Sequence, residues 1–435
     1  MTRVISVDVK KHVGKSVTVK GWVHKKRLLG GLTFLNIRDR GGLVQVLIED
    51  KEEVEKLRGM QLGTVLTVTG NVVDEPRAPG GSEIHEPKIT IDVPVLDESP
   101  IEIDKPLNHK SENLDTLFEN RVVGLRNLQE TKIFKVRAEL TRFIREFLND
   151  NEFVEINTPK LVAGAAEGGA EVFKLDYFGK EATLAQSPQL YKQMMVGVFE
   201  RVYEIAPAFR AELSATTRHV SEVTMLDVEF GFVENHDEVL NMVQQMLYSV
   251  LTRAQKELAD ELKSWNAADI TLKPEFPRYS MAEIHEMYQK ATKIDVSGEV
   301  DLTPDEERWI CEYAKKNDGC EAVFATGLPA SKMKFYHMDN GDGTARSADL
   351  LFRGIEISTV PQREHRYDKL VEQMKKAGVD PKDPGFSYYL QAFKYGLPAH
   401  GGFGFGIDRL TEKVLKLNNV KEAILFPRDI NRLTP

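Results

Sequence analysis

The sequence predicts an α+β protein in two parts. A small N-terminal domain of short strands comes first, then a larger domain of antiparallel strands and amphipathic helices. Three observations carry this reading. Residues 15–73 break into short alternating runs separated by glycine turns. Residues 201–230 read as two strands around a polar loop. Residues 131–150 and 235–262 space their apolar side chains at helical intervals. A chain of 435 residues has room for two or three domains with ample cores.

Composition narrows the class. At 41% hydrophobic and 29% charged residues the chain reads as soluble and globular. Its two cysteines, Cys311 and Cys320, lack metal-ligand spacing, so a reducing compartment without disulfides is expected. No apolar run reaches membrane-spanning length and no signal-peptide pattern opens the chain, so the expected location is cytoplasmic. The net charge of −9 opposes general adhesion to nucleic acid, but it is unevenly spread. Residues 1–70 carry 13 Lys and Arg against 7 Asp and Glu. A basic end on an acidic body suits local phosphate binding.

In the first domain Val17, Val19 and Val23 alternate with Thr18, Lys20, Trp22 and His24. Leu35 and Ile37 oppose Phe34, Asn36 and Arg38; Val44, Val46 and Ile48 alternate with Gln45. The polar face thus gathers Trp22, His24, Phe34, Arg38 and Gln45. Aromatic rings among cations can stack nucleobases, at roughly 1–3 kcal/mol per base, while the cations hold phosphates. An exposed Phe partly covered by a loop would give the same pattern. Residues 74–125 are Pro-rich and charged and read as a connection. We therefore place a β domain at 1–100, a hinge at 101–130 and the larger domain at 131–435.

The larger domain opens with an amphipathic helix, with Ile133, Val136, Leu140, Phe143, Ile144 and Phe147 on one stripe, followed by FVEINTPKL. GAAEGGAEVF is a glycine-rich loop of the kind that forms lids. The 201–230 hairpin places Val223, Met225, Asp227 and Glu229 on one face and Leu226, Val228 and Phe230 on the other. Arg210, Glu212, Arg218 and His219 stand at its loop end. By spacing alone, such a hairpin could equally be a solvated ribbon. The helix from 235 has Asn235 as its N-cap and a methionine stripe suited to core. Residues 263–345 give little signal. Further on, Asp349 and Glu356 flank a tight turn at Arg353-Gly354, with Leu351 opposite Glu356. That register puts the two carboxylates on one face, an arrangement that suits a hard divalent cation such as Mg²⁺. GGFGFGIDRL has no βαβ context and is not a dinucleotide loop; no Walker A motif occurs.

FRAE, TTRH and the returning DVE resemble motif 2 of the class II aminoacyl-tRNA synthetases. The helix and strand ending at Pro159 resemble motif 1, an element of dimer interfaces, and GGFGFGIDRL resembles motif 3. Over nearly the whole length the chain is similar to aspartyl-tRNA synthetases of the archaeal and eukaryotic type. The resemblance implies an OB-fold anticodon-binding barrel before a class II antiparallel sheet with flanking helices, acting as a homodimer. It implies anticodon contacts by Phe34, which would stack on the central base, and by Gln45. It also bears on which tRNA is read. Strict relatives carry Trp where His24 stands and a loop Lys where Pro79 stands, so charging of tRNA-Asn as well as tRNA-Asp is expected.

For the chemistry, the resemblance implies joining of L-aspartate to the α-phosphate of ATP and then transfer to tRNA. Arg210 would hold the α-phosphate, with Glu212 beside it. Arg218, His219 and Arg409 would hold the outer phosphates over Gly406, and Asp349 and Glu356 would hold Mg²⁺. Glu167, Gln189, Lys192, Asp227, Thr359 and Arg363 would line the aspartate pocket. In it Glu167 and Asp227 would face the ammonium group, and Lys192 and Arg363 the side-chain carboxylate. Arginine suits phosphate and carboxylate because its planar fork bonds both bidentately.

There are departures. Thr359-Val360-Pro361 stands where relatives have Ser-Gly-Gly or Ser-Gly-Ala, and two added side chains are expected to crowd the strand under the substrate. Val223 replaces a Phe that faces adenine. Three alternatives stay open on sequence: an asparaginyl-tRNA synthetase, an amidating relative, and a tRNA-binding paralogue weakened in catalysis. Charging of tRNA-Asn with aspartate would further require an amidotransferase partner.

Overall fold

The computed structural model describes residues 2–29, 32–107, 114–163, 172–214 and 216–435, and the chain divides into two compact units, Met1–Thr131 and Lys132–Pro435. The first unit is built on a closed barrel of β1 (Ser16–Leu29), β2 (Leu32–Asp39), β3 (Gly42–Ile48), β4 (Val65–Asp74) and β5 (Ser82–Val93), in the order β1-β2-β3-β5-β4. Strand alternation closes it. Val17, Val19, Val23, Leu35, Ile37, Val44, Val46 and Ile48 all point inward to one apolar core. The helix Lys51–Arg58 is capped by Asp50, whose carboxylate accepts from the N–H groups of Glu52 and Glu53. The segment expected as a hinge is not a bare connection. It carries two short helices, Leu114–Glu119 and Arg121–Gly124, and a small apolar cluster of Ile101, Leu107 and Leu117, and it groups with the first unit.

The second unit holds an eight-stranded sheet. Its strands are β6 (Val154–Glu155), β10 (Arg201–Phe209), β11 (Glu222–Gly231), β12 (Arg278–Ser280), β13 (Ala322–Thr326), β14 (Ser347–Phe352), β15 (Ile355–Pro361) and β16 (His400–Gly406). The order is β12-β13-β14-β15-β16-β11-β10-β6. The six central strands are antiparallel; β12 and β6 join the edges in parallel. The remaining strands, β7 (Leu161–Val162), β8 (Lys174–Tyr177) and β9 (Lys180–Leu184), form a small separate sheet.

One face of the large sheet is covered by helices. Leu226, Val228, Phe230, Phe403 and Phe405 pack there against Ile133, Val136, Leu140, Phe143 and Ile144 of the helix Leu128–Asp150. Val239, Val243, Met246, Leu247 and Val250 of the helix His236–Glu257 complete that core. Asn235 caps the latter as expected, but the helix breaks at Leu258, where the chain leaves helical angles (φ −116°, ψ 25°), and resumes at Ala259–Ser264. The stretch 263–345, poor in signal, contains the helices Met281–Thr292 and Pro304–Asn317. Each is opened by a capping box, Ser280 with Glu283 and Thr303 with Glu306. Cys311 and Cys320 are both buried and unpaired. No helix among the described residues is long and apolar enough to cross a membrane.

Candidate active site

The opposite face of the sheet, partly covered by the helices Met281–Thr292 and Pro304–Asn317, carries a cleft of about 520 Å³. Its floor is set by the pairing of β11 with β16. Met225, Asp227 and Glu229 stand opposite Gly406, Gly404 and Gly402. In GGFGFG the alternation sends Phe403 and Phe405 into the core and leaves the opposite face bare. The glycines serve different ends. A Cβ on Gly402 would come within 2.0 Å of the Val228 carbonyl, so protein packing demands glycine there. A Cβ on Gly404 would meet nothing nearer than 3.6 Å, and on Gly406 nothing nearer than 3.5 Å. Those two positions keep the floor open for something other than the protein.

Charge in the floor is paired in layers. Glu229 is fully buried and accepts two bonds from Arg363, Nε to Oε1 at 2.8 Å and Nη2 to Oε2 at 3.0 Å. Burial alone would raise its pKa, but the charges of Arg363 and Lys192 hold it below the ordinary value. Arg363 lines the cleft, its guanidinium 5.4 Å from the Tyr336 ring, and Nη1 makes no hydrogen bond among the described residues. Lys192 corrects an expectation. Its ammonium donates to Asp227 Oδ1 at 3.0 Å, the Phe403 carbonyl at 3.1 Å and the Val228 carbonyl at 3.4 Å. With its three hydrogens so committed and the side chain 1% exposed, it lies one layer below the wall it was expected to form.

The rim is set by three hairpin and helix ends. Arg210 follows directly on β10, and its guanidinium makes no bond or ion pair among the described residues. Arg218 donates to Glu307 Oε2 at 2.6 Å and to the Gly354 carbonyl at 3.0 Å. His219 bonds Thr216 at 2.7 Å. Arg409 projects from the first turn of the helix Ile407–Val414 and donates to the Glu356 carbonyl at 2.8 Å. That helix start is fixed by Asp408, which accepts from Arg137 at 2.8 Å and from the Thr224 N–H at 2.7 Å.

The β14–β15 hairpin turns at Arg353 (φ 49°) and Gly354 (φ 83°), with Leu351 opposite Glu356 as expected. A bulge then moves the register by one, so Asp349 faces Thr359. The Thr359 hydroxyl donates to Glu356 Oε1 at 2.7 Å. Burial and the neighbouring Glu356 carboxylate push the Asp349 carboxyl well above its ordinary pKa. No group of three or more His, Cys, Asp or Glu suited to a metal occurs among the described residues. The pair is thus short of a full ligand set from protein alone.

The crowding expected at Thr359-Val360-Pro361 is half as large as two added side chains suggest. Strand alternation sends Val360 into the core, fully buried, and only Thr359 and Pro361 face the cleft. Of the residues singled out by sequence, Gln189, Arg210, Glu212, Arg218, His219, Asp227, Asp349, Glu356, Thr359, Arg363, Gly406 and Arg409 line this one cleft. Glu167 lies outside the described residues. Sequence reading missed Asp301, Lys334, Tyr336 and His337, which also line it and come from the signal-poor stretch. The GxGxG alternation opposite Asp227 was a usable signal for the floor; nothing periodic marks KMKFYHM.

On the barrel, Arg38 stacks on Trp22 at 4.9 Å and Arg27 approaches Phe34 at 6.0 Å. His24 differs from expectation. It is the extra residue of a β-bulge between Val23 and Lys25, and it is buried. Its Nδ1 has no partner among the described residues, and burial with the nearby Arg38 charge lowers its pKa. Gln45 is buried too and donates to Glu83 at 2.8 Å. Pro79 starts a single 3₁₀ turn, Pro79–Gly81, and is half-buried.

The profile of the family described as tRNA synthetases class II (D, K and N) matches residues 113–430. The chain belongs to this family. An OB-fold nucleic acid binding domain matches residues 17–92 of the same synthetase, over the barrel. The chain is 43% identical to the aspartate–tRNA(Asp/Asn) ligase of Thermus thermophilus, and the match spans 100% of both chains. It is 41% identical to the aspartate–tRNA(Asp) ligase of Pyrococcus horikoshii over 97% of each. Among solved structures, asparaginyl-tRNA synthetase from P. horikoshii with asparaginyl-adenylate superposes on this synthetase with a TM-score of 0.90, at 32% identity and full coverage of both.

Proposed function

We propose that this synthetase ligates L-aspartate to tRNA-Asp, and to tRNA-Asn as well, through aspartyl-adenylate. The observation that carries the amino-acid choice is Arg363. It stands in the cleft wall, fixed on two N–H groups by Glu229 and with Nη1 left over. A carboxylate would complete it, whereas an amide would leave part of the cation unmatched in a buried site. Lys192 adds positive field from beneath the floor. Asp227, lining the cleft 3.0 Å from Lys192, would take the substrate ammonium together with Gln189.

The substrate carboxylate is itself the nucleophile, so the protein need only align it and stabilise phosphate charge. Arg210, whose guanidinium has no partner among the described residues, would take the α-phosphate; Arg218, His219 and Arg409 would take the outer phosphates; Glu212, Thr359 and Gly406 would frame the nucleotide. Asp349 and Glu356 fit Mg²⁺: they are hard oxygen donors, adjacent, and mutually repelling while no cation is between them. Held by these two residues, Mg²⁺ would supply neutralisation of phosphate charge. On the barrel, Phe34 would stack on an anticodon base, with Gln45 held in place by Glu83. His24 and Pro79 stand where the strict relatives' Trp and Lys would be, which supports relaxed reading of the third anticodon base. The ligase would then work as a homodimer in the cytoplasm and feed aspartyl-tRNA-Asn to an amidotransferase.

The test is aminoacylation with labelled aspartate on separate tRNA-Asp and tRNA-Asn transcripts. Charging of both is expected. Charging of tRNA-Asp alone would refute the relaxed reading, and charging of neither would refute the ligase.

A further inference from the structure

Glu307 has no part in the chemistry above, yet its side chain is only 13% exposed. It stands in the first turn of the helix Pro304–Asn317, where acidic residues usually serve the cap. Here the cap is complete without it: Thr303 and Glu306 bond each other reciprocally, and Glu306 also holds His285 at 2.6 Å. Glu307 turns instead toward the cleft, where Arg218 Nη1 donates to its Oε2 at 2.6 Å. A second bond, Arg218 Nη2 to the Gly354 carbonyl at 3.0 Å, anchors the same guanidinium to the turn between Asp349 and Glu356. The return side of the Arg218 loop is tied as well: the Thr217 carbonyl accepts from Val420 N–H at 3.1 Å, and Ser221 N–H donates to the Arg428 carbonyl at 2.7 Å.

This arrangement fixes a cation rather than consuming it. A guanidinium has five N–H donors, and the two acceptors use one each on Nη1 and Nη2. Three donors stay available to an anion in the cleft. Because the Glu307 bond is charge-assisted, it is the stronger of the two ties. An arginine on a loop without it would sample many rotamers, and ligand binding would have to order it. We infer that Glu307 is a positioning residue for the nucleotide: it holds Arg218 where the outer phosphates of a nucleoside triphosphate will lie. The inference rests on the ATP reading of the cleft.

The test uses the full chain. Aspartate-dependent ATP–pyrophosphate exchange gives KM for ATP and for aspartate; titration with α,β-methylene-ATP and Mg²⁺ gives triphosphate affinity without turnover; thermal melting reports the fold. Loss of one charge-assisted bond predicts that Glu307→Gln raises KM for ATP and weakens the analogue by about ten-fold. KM for aspartate and the melting temperature should stay near wild type. Glu307→Asp, which keeps the charge but shortens the reach, should fall between. In an Arg218→Ala background Glu307→Gln should add nothing, because the group it positions is gone. Unchanged or tighter analogue binding in Glu307→Gln would overturn the inference. So would an equal loss in both backgrounds, or a rise in both KM values with a lowered melting temperature. A wild-type chain that binds the analogue yet exchanges no pyrophosphate with aspartate would refute the ligase reading alone.

Discussion

The buried pair of Arg363 and Glu229 offers a sharp test, because it joins stability to substrate choice. Consider Arg363→Met, which removes the charge while keeping most of the volume. Glu229 is fully buried and loses bonds of 2.8 and 3.0 Å; Lys192, at 3.4 Å, is its remaining cation. Breaking one side of such a pair costs about 3–5 kcal/mol, since a buried charge is left under-compensated. For a unit of this size that lowers the melting temperature by roughly 5–8 °C. The cost should depend on pH, with a definite sign. In the wild type the Glu229 pKa is depressed, so its contribution is present above the unfolded value and is lost as pH falls through the folded value. In the variant, burial dominates and raises that pKa, so protonation relieves the strain as pH falls. The gap between wild type and variant should therefore close by up to about 1.4 kcal/mol per pH unit on acidification. Arg363→Met with Glu229→Gln should recover most of the stability but none of the aspartate-dependent pyrophosphate exchange. Melting followed by circular dichroism from pH 5 to 8, beside the exchange assay, reads both. A pH-independent gap, or aspartate activation by the double variant, would refute the assigned pairing and role.

The other expectations concern the floor and the hairpin. Gly404→Ala should melt within about 1 °C of wild type, because its Cβ finds ordinary contacts at 3.6 Å, yet raise KM for ATP or aspartate. Gly402→Ala should fail to accumulate as folded protein, its Cβ falling 2.0 Å from the Val228 carbonyl; equal behaviour of the two would refute the division of labour along β16. Asp349 has a raised folded pKa from burial and from Glu356, so its contribution is full below the unfolded value and is lost as pH rises through the folded one. Asp349→Asn should therefore flatten the decline in stability of the ligand-free protein on the alkaline side while weakening Mg²⁺-dependent ATP binding, both measurable by thermal shift with and without Mg-ATP. Arg353→Asn keeps a residue that tolerates φ 49° but removes bonds to Glu321 and to the Asp269, Lys413 and Val414 carbonyls. A loss of about 2–4 kcal/mol is expected in urea unfolding, and a loss near zero would show the turn needs no clamp.

Much of the fold lay open in the sequence because one-sided burial leaves a strong period. Val17, Val19 and Val23, Leu226, Val228 and Phe230, and the stripe from Ile133 to Phe147 each announce their element. Where two causes compete, the period misleads. His24 was counted onto the open polar face by alternation, but it is the extra residue of a bulge and is buried, and a bulge leaves no mark in a period-two pattern. The same limit hid the slip that sets Asp349 against Thr359. Lys192 shows another kind of limit. Its residue type and spacing reveal a cation near Asp227, but not whether the ammonium stands in the wall or beneath it; that depends on the Phe403 and Val228 carbonyls, which every residue possesses. The signal-poor stretch supplied Tyr336, His337 and Glu307 because its side chains are placed by long-range contacts rather than by their neighbours in sequence.

The distribution of partners in the cleft argues for how it stays both stable and receptive. Three basic side chains of the cleft and one beneath its floor are already engaged: Arg363 with Glu229, Arg218 with Glu307 and Arg409 with Glu356 in the lining, and Lys192 with Asp227 below. Unpaired, four cations this close would repel one another and oppose folding; paired, they hold their geometry without ligand. Pairing does not disable them, since arginine keeps spare N–H groups after a protein carboxylate is satisfied. Among the described residues Arg210 and Lys332 line the cleft without a side-chain partner, and Arg210 stands at the end of β10 where the reacting phosphate is proposed to lie. A group that must meet charge developing only in the transition state gains most from being uncommitted beforehand, because no protein bond has to break as that charge appears. The outer phosphates carry their charge throughout, so cations pre-set by carboxylates suit them. On this argument Arg210→Lys should lower kcat for exchange far more than it raises KM for ATP, whereas changes at Arg218 or Glu307 should do the reverse. The opposite split, with Arg210 felt in KM and Arg218 in kcat, would invert the assignment of the two arginines.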